Sequence, residues 1–385
     1  MPEPPFAEIF RPTEGDRPSR RYLALPSVAR ARALIDARDP ATARRVFAGM
    51  SPVHGPRPDA AGLAVGLLAR ARPRRVRLDV LGGADSVEGH VAGRLGEPEL
   101  GFGWRFGPPR PNRKPVGTLV DAHGEVRAFV KLGPSPLTRA LVEAESATLA
   151  RLGPHVGPVE LPRILDTGHW REVSVLVSGA IRHTGRPALA TARAEAELAV
   201  ATALGTRRTT LGESEFWAGL RASVASTATD ARWAALRTGV ARIGDRFGGR
   251  RVTLGSWHGD WTAHNIVGTG GGVAAWDWER FAHGVPAGFD PLHHRLTETL
   301  ESGPDPQDLV TGLIAQAREL LAHFTGAGLV DDPALTTVLY LLTLADRYRI
   351  DRQDETRSVA ASFSTWLVTR LPEAIDAIVD HPVDR

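Results

Sequence analysis

The chain has 385 residues, 42% of them hydrophobic and 24% charged, with a formal net charge of +3. That is enough chain for two or three domains with sizeable cores, and the balance is that of an ordinary soluble protein rather than a disordered or fibrous one. There is no cysteine, which excludes disulfides, thiolate metal sites and cysteine nucleophiles.

No charged segment leads into an apolar run near Met1, so no signal peptide is expected. The most apolar stretch, Ala60–Ala69, is too short for the roughly 20 residues of a membrane helix. A cytoplasmic protein without a membrane span is expected. Residues 1–20 are rich in proline and charge and read as loose chain. Arg21–Leu25 reads as a short strand, Pro40–Met50 and Ala60–Arg72 as helices, and Ser51–Asp59, with three prolines, as a loop. The run Arg70–Arg77 reads as a solvated face. No nucleic-acid module signature accompanies it, and no nucleic-acid partner is expected. Residues 1–100 carry no chemical constellation and read as an accessory region.

From Leu100 the texture changes. Leu100–Phe106, Pro115–Asp121 and Glu125–Leu132 read as strands, the last two joined by the hairpin signal Asp121-Ala122-His123-Gly124. A helix follows, with Ser135 as N-cap, Pro136 in its first turn and Gly153-Pro154 closing it. Val173–Val177 reads as a buried strand with a bend at Gly179. From Pro187 to Arg370 the pattern is helical, interrupted by the Gly- and Trp-rich stretch Thr253–Pro286. Strands followed by helices predict an α+β chain with two lobes: an accessory region over 1–100, a strand-rich lobe over 101–180 and a helical lobe over 181–385.

The chemistry concentrates in Ser256–Val267 and Ala275–Glu279. Asp260, Asn265 and Asp277 are hard oxygen donors. Asn265 and Asp277 lie 12 residues apart, and the sequence between them spells strand, Gly-rich turn, strand. A hairpin there returns the chain and sets the two side by side. Magnesium takes oxygen ligands of this kind, one or two carboxylates together with substrate phosphates. Asp260, earlier in the same loop, is placed to orient a nucleophile.

His258-Gly259-Asp260, then Asn265 after four intervening residues, then Asp277-Trp278-Glu279 at a strand end, resemble the aminoglycoside phosphotransferase and choline kinase superfamily. Its fold is protein-kinase-like and bilobal. The resemblance covers about residues 100–370 and implies ATP, with GTP as an alternative, together with Mg2+ and a small-molecule hydroxyl acceptor. It implies that Asp260 is the catalytic base, that Asn265 and Asp277 bind the metal, and that His258 is a scaffold histidine within the catalytic loop. It gives Glu279 a supporting role near the metal and makes Asp290 the buried brace beneath the loop.

The superfamily also requires a strand lysine for the α- and β-phosphates. Lys131 ends the third strand of the lobe, and of 47 basic residues only Lys114 and Lys131 are lysines. A compact ammonium holds a phosphate differently from a planar guanidinium. A helix carboxylate must pair with that lysine. Glu145 lies in the stripe Leu137, Leu141, Leu149, Leu152, whereas Glu143 lies roughly 200° round the helix and faces solvent. The adenine hinge falls on Ser178, Gly179 and Ala180. One departure is plain: no G-x-G-x-x-G covers the phosphates. In its place runs Gly107–Lys114, where Arg110, Arg113 and Lys114 offer charge-assisted contacts.

Trp257, Trp261, Trp276 and Trp278 are four of nine tryptophans. Trp257 reads as core, Trp276 and Trp278 as packing around Asp277, and Trp261 as either a wall for the acceptor or part of the core. His264 reads as a surface residue, and one of His293 and His294 is expected to face the site. Glu298, Glu301, Asp305, Asp308, Asp346, Asp351, Asp354 and Glu355 are candidates for an acidic pocket. Two rivals stand beside the kinase reading: a catalytically inactive kinase-like binding module, and a two-metal hydrolase using His258, Asp260, His264 and Asp277.

Overall fold

The structure is a computed structural model, and it describes residues 6–10, 18–36, 77–107, 109–183, 186–227, 230–302, 307–351 and 359–379. The helices expected over 40–50 and 60–72, the loop between them and nearly all of the arginine run at 70–77 lie outside the described residues. The chain forms two compact units, one of Met1–Pro154 and Leu161–Arg186, the other of His155–Glu160 and Pro187–Arg385. Among the described residues no helix is long and apolar enough to cross a membrane.

The first unit is built on one sheet of eight strands. In chain order these are β1 (Pro18–Leu25), β2 (Ala33–Asp36), β3 (Arg77–Leu81), β4 (Gly101–Phe106), β5 (Pro115–Val120), β6 (Val126–Gly133), β9 (Ile164–Trp170) and β10 (Val173–Gly179). They pair in the order β3-β1-β2-β4-β5-β6-β10-β9, antiparallel throughout. At the β5–β6 hairpin the Asp121 carboxylate accepts the N–H groups of His123 and Glu125 at 2.8 and 2.9 Å. The helices of this unit are α1 (Ala7–Phe10), α2 (Val87–Leu95) and α3 (Pro136–Leu152). α3 begins as its sequence dictates, with the Ser135 side chain on the Thr138 N–H, Thr138 returning the bond, and Pro136 in the first turn.

Strands β1 to β3 come from the first hundred residues, yet they extend the same sheet, with Ala33, Leu34 and Ile35 of β2 opposite Arg105, Trp104 and Gly103 of β4. A carboxylate fastens this extension. Glu88 on α2 is 2% exposed and accepts bonds from Trp104 Nε1 at 2.7 Å and from the Tyr22 hydroxyl. Both donors meet Oε1, and such bonds offset the cost of burying a carboxylate.

The second unit is mostly helical, with two small sheets. Its strands are β7 (His155–Val156), β8 (Val159–Glu160), β11 (Arg207–Thr210), β12 (Arg251–Trp257), β13 (Ile266–Gly268), β14 (Val273–Ala275) and β15 (Ala282–Pro286). One sheet runs β11-β12-β15 and the other β13-β14-β8-β7. The helices are α4 (Ala190–Thr202), α5 (Glu215–Ala225), α6 (Ala234–Phe247), α7 (Phe289–Glu301), α8 (Gln307–Leu320), α9 (Ala322–Gly326), α10 (Pro333–Ile350) and α11 (Val359–Val379). Their core holds Trp217, Leu236, Ile243, Phe289, Leu292, Tyr340 and Leu371, among others. The stretch expected to interrupt the helices is where β12 to β15 lie, and the chemistry-bearing loops hang from those strands.

Candidate active site

Lys131 and Glu145 meet within the first unit. Along β6 the residues Ala128, Val130 and Leu132 are fully buried in the sheet core, so the period of two turns Lys131 to the opposite face. α3 buries Leu141, Val142, Glu145 and Leu149. The Lys131 ammonium donates to both Glu145 oxygens, at 2.7 and 2.6 Å, with side-chain exposures of 13% and 2%. Glu143, on the exposed side of α3, accepts from the Ser174 hydroxyl instead.

Other expected residues of this unit are already engaged. The Arg113 guanidinium lies over the Phe6 and Phe106 rings, 5.3 and 5.8 Å from their centroids, and donates to Ala31 O. That is a packing role, and it leaves exposed Arg110 together with Lys114 as the phosphate-facing candidates of the loop. At the strand end, Gly179 N–H donates to Arg163 O at 2.8 Å and Ala180 N–H to Arg127 O at 3.3 Å, while Ser178 pairs on both sides. The N–H groups of Gly179 and Ala180 are thus already used, which narrows the hinge role expected of Ser178, Gly179 and Ala180 to their other backbone groups.

In the second unit, β12 ends at Trp257 and the chain turns through His258, Gly259 and Asp260. Gly259 has φ +85°, and a Cβ there would sit 2.2 Å from Arg280 O, so only glycine fits. Asp290, in the first turn of α7, receives the loop's backbone: its carboxylate accepts from His258 N–H at 2.8 Å and Gly259 N–H at 3.2 Å. It does not cap its own helix, whose N-cap is Gly288. His258 is fully buried. Its Nδ1 accepts the Asp260 N–H at 3.2 Å, which leaves Nε2–H to donate to Trp276 O at 3.1 Å. One imidazole thus ties the loop of Asp260 to the loop of Asp277.

The β13–β14 hairpin behaves as the spacing predicts. Ile266 pairs with Ala275 and Gly268 with Val273, and Trp276 N–H donates to Asn265 O. Asn265 and Asp277 therefore flank the open end of one hairpin. The Asn265 amide nitrogen spends both hydrogens on Asp260, one on its backbone oxygen at 2.9 Å and one on Oδ2 at 2.8 Å. That turns the amide oxygen away from Asp260. Asp277 holds φ +71° and ψ +50°, a left-handed conformation that aspartate tolerates better than most side chains. Asp277 and Glu279 present carboxylate oxygens within 4.8 Å of one another. An amide oxygen and two carboxylates form a donor set that suits magnesium.

Burial sets the electrostatics. It drives the His258 pKa down to about 4, so the imidazole is neutral at ordinary pH. It drives the Asp290 pKa up to about 7, against the pull of two backbone N–H groups. For Asp260, burial also works upward, but the hydrogen bond from His293 works against it, and the carboxyl lies below its ordinary value.

Trp261 takes the second of its two expected places. It is fully buried, with its indole N–H on the buried Glu197 carboxylate at 3.1 Å, so it belongs to the core rather than to an acceptor wall. His264 lies on the surface beside Glu301, at 2.9 Å. Of the acidic candidates, Glu298 pairs with Arg295, Asp346 with Arg349 and Asp351 with Arg280. The side chains of Asp305, Asp308, Asp354 and Glu355 lie outside the described residues. His293 is the histidine that faces the loop, since His294 meets Arg193 instead. Sequence reasoning missed Tyr340, Glu197 and Arg347, whose guanidinium donates to Gly259 O.

The fold is protein-kinase-like. No family model matches the chain, and no curated protein does. Among solved structures it is similar to a thermostable mutant of aminoglycoside phosphotransferase APH(4)-Ia in its apo form. The identity is 12%, the match covers 76% of this chain and 99% of that one, and the TM-score is 0.51. A ternary complex of a thermostable mutant of the same enzyme with AMP-PNP and hygromycin B matches at 12% identity over 76% and 98% of the two chains, with a TM-score of 0.50.

Proposed function

We propose that this chain is an ATP- and Mg2+-dependent phosphotransferase acting on a hydroxyl of a small molecule, in the cytoplasm. In this reading residues 101–180 are the nucleotide-holding lobe, 181–385 the catalytic lobe, and 1–100 an addition to the first. The observation that carries it is the Lys131–Glu145 ion pair. A two-metal hydrolase has no use for a nearly buried lysine held by a buried glutamate, whereas a kinase requires that pair for the α- and β-phosphates.

In the reaction the acceptor oxygen forms a bond to the γ-phosphorus while the bond from that phosphorus to the ADP oxygen breaks. Asp260, held by Asn265, orients the acceptor hydroxyl and takes its proton. Lys131 fixes the nucleotide phosphates. Asn265 and Asp277, with Glu279 beside them, are the residues that would hold magnesium, which when bound draws charge from the phosphate oxygens. Positioning and charge neutralisation supply most of the catalysis in such transfers. The other backbone groups of Ser178, Gly179 and Ala180, and those from Ile181 onward, are the candidates for reading adenine. The acceptor is a sugar, an aminoglycoside-like compound or an amino alcohol, and the ion pairs at Glu298, Asp346 and Asp351 weigh against a polycation.

Thermal shift with ATP and with GTP, each with and without magnesium, tests the reading, followed by a screen of hydroxylated metabolites for ADP release. A magnesium-dependent shift and one productive acceptor are expected. No shift with any nucleotide, with or without the metal, overturns the proposal and favours the hydrolase or the inactive module.

A further inference from the structure

The face of α7 that carries Asp290 carries His293 one turn later. His293 is 2% exposed and Tyr340, on α10, is fully buried. The Nε2 of His293 lies 3.3 Å from Asp260 Oδ1, and its Nδ1 lies 2.8 Å from the Tyr340 hydroxyl. Trp257 and Phe289 close an aromatic box around the pair: the Trp257 ring stands edge-on to both His293 and Tyr340, and Phe289 stands edge-on to Tyr340.

We propose that Tyr340 and His293 form a hydrogen-bond chain that fixes the carboxylate of Asp260, making His293 a positioning residue for the phosphotransfer step. This rests on the phosphotransferase reading for its consequence, but not for its geometry. An ionised carboxylate only accepts, so Nε2 carries the proton that meets Oδ1. Burial disfavours a charged imidazole. In the neutral ring Nδ1 is then an acceptor, and the Tyr340 O–H supplies the hydrogen that holds this tautomer. Asn265 fixes the other oxygen of Asp260. Each carboxylate oxygen thus has one dedicated donor, and the carboxylate plane cannot turn. α7 accordingly serves the loop twice, Asp290 holding its backbone and His293 its reactive side chain.

Three variants separate positioning from simple packing. Gln at position 293 places an amide near the Nε2 position, Asn places one near Nδ1, and Tyr340→Phe keeps the ring while removing the donor. The 15N resonances of His293 in the free protein should report Nε2–H with Nδ1 as acceptor, and Tyr340→Phe should turn this into a tautomer mixture. With water as acceptor, Mg-ATP turnover should fall by roughly 10²-fold in His293→Asn, the order expected for a misplaced reacting group. It should fall clearly less in His293→Gln, with the KM for ATP unchanged in both. An Nδ1–H or charged ring in the parent overturns the chain. Equal losses in the two His293 variants, or no loss in either, overturn the positioning role. A parent with the stated tautomer but no ATP turnover under any condition removes the phosphotransferase reading and leaves the hydrogen-bond chain established.

Discussion

The carboxylate of Asp290 accepts the backbone N–H of His258 at 2.8 Å while lying only 3% exposed. A single acidic side chain therefore sets the height of the loop that carries Asp260. In the unfolded chain this carboxyl ionises near 3.8, and in the folded protein burial raises it to about 7. Its contribution to stability is thus complete below about pH 4 and is lost as the pH climbs through about 7. Asparagine is neutral at every pH and keeps one acceptor oxygen. The melting-temperature advantage of the parent over Asp290→Asn should therefore shrink between about pH 4 and about pH 8. An advantage that stays level above about pH 5 means the buried group is ionised throughout.

Asp260→Asn should bind nucleotide as the parent does and lose turnover by at least ~10²-fold, the lower end of what general-base positioning contributes. Nucleotide thermal shift and steady-state ADP release check the two halves separately. Parental turnover in the variant removes Asp260 from the role of base.

Asp277 is best tested in two ways, because it carries both a charge and a left-handed backbone. Asp277→Asn should keep the melting temperature, since asparagine also adopts that conformation, and lose magnesium-dependent nucleotide affinity. Asp277→Ala should lose the same affinity and in addition about 1 kcal/mol of stability from the left-handed backbone. If Asp277→Asn binds Mg-ATP as tightly as the parent, the metal is held elsewhere.

Lys131 and Lys114 form a matched pair. The Lys131 ammonium touches both oxygens of Glu145 at 13% exposure, and a longer, flat guanidinium cannot fill that place without displacing a partner. Lys131→Arg should fold normally and lose most of its ATP turnover, whereas Lys114→Arg should stay near the parent. Equal, near-parental rates for both variants would take Lys131 out of the site.

Much of this site is legible in the chain because its pieces are local. The β13–β14 hairpin brings Asn265 to Asp277 across 12 residues, and helical spacing alone separates Glu145 from Glu143. The strands β4 to β6 and the cap of α3 follow from turn and capping residues. What stays hidden is what contacts at long range decide. Tyr340 reaches His293 across 47 positions and Arg347 reaches Gly259 across 88, and no spacing rule announces either contact. Trp261 stays open in the sequence for the same reason: an aromatic beside Asp260 suits a platform or the core until Glu197, 64 positions earlier, takes its indole N–H into the core. The first hundred residues read only as an accessory region because β2 is four residues long and its partner β4 lies far along the chain.

That pairing decides what happens if the chain is trimmed. A protein begun at Leu100 presents the outer edge of β4 to solvent, a row of N–H and C=O groups that another copy can add to. The same cut takes Glu88 from the Trp104 indole, leaving a buried donor unanswered beside that open edge. Shortened chains should collect in the insoluble fraction through edge-to-edge association, whether or not every catalytic side chain is still in place.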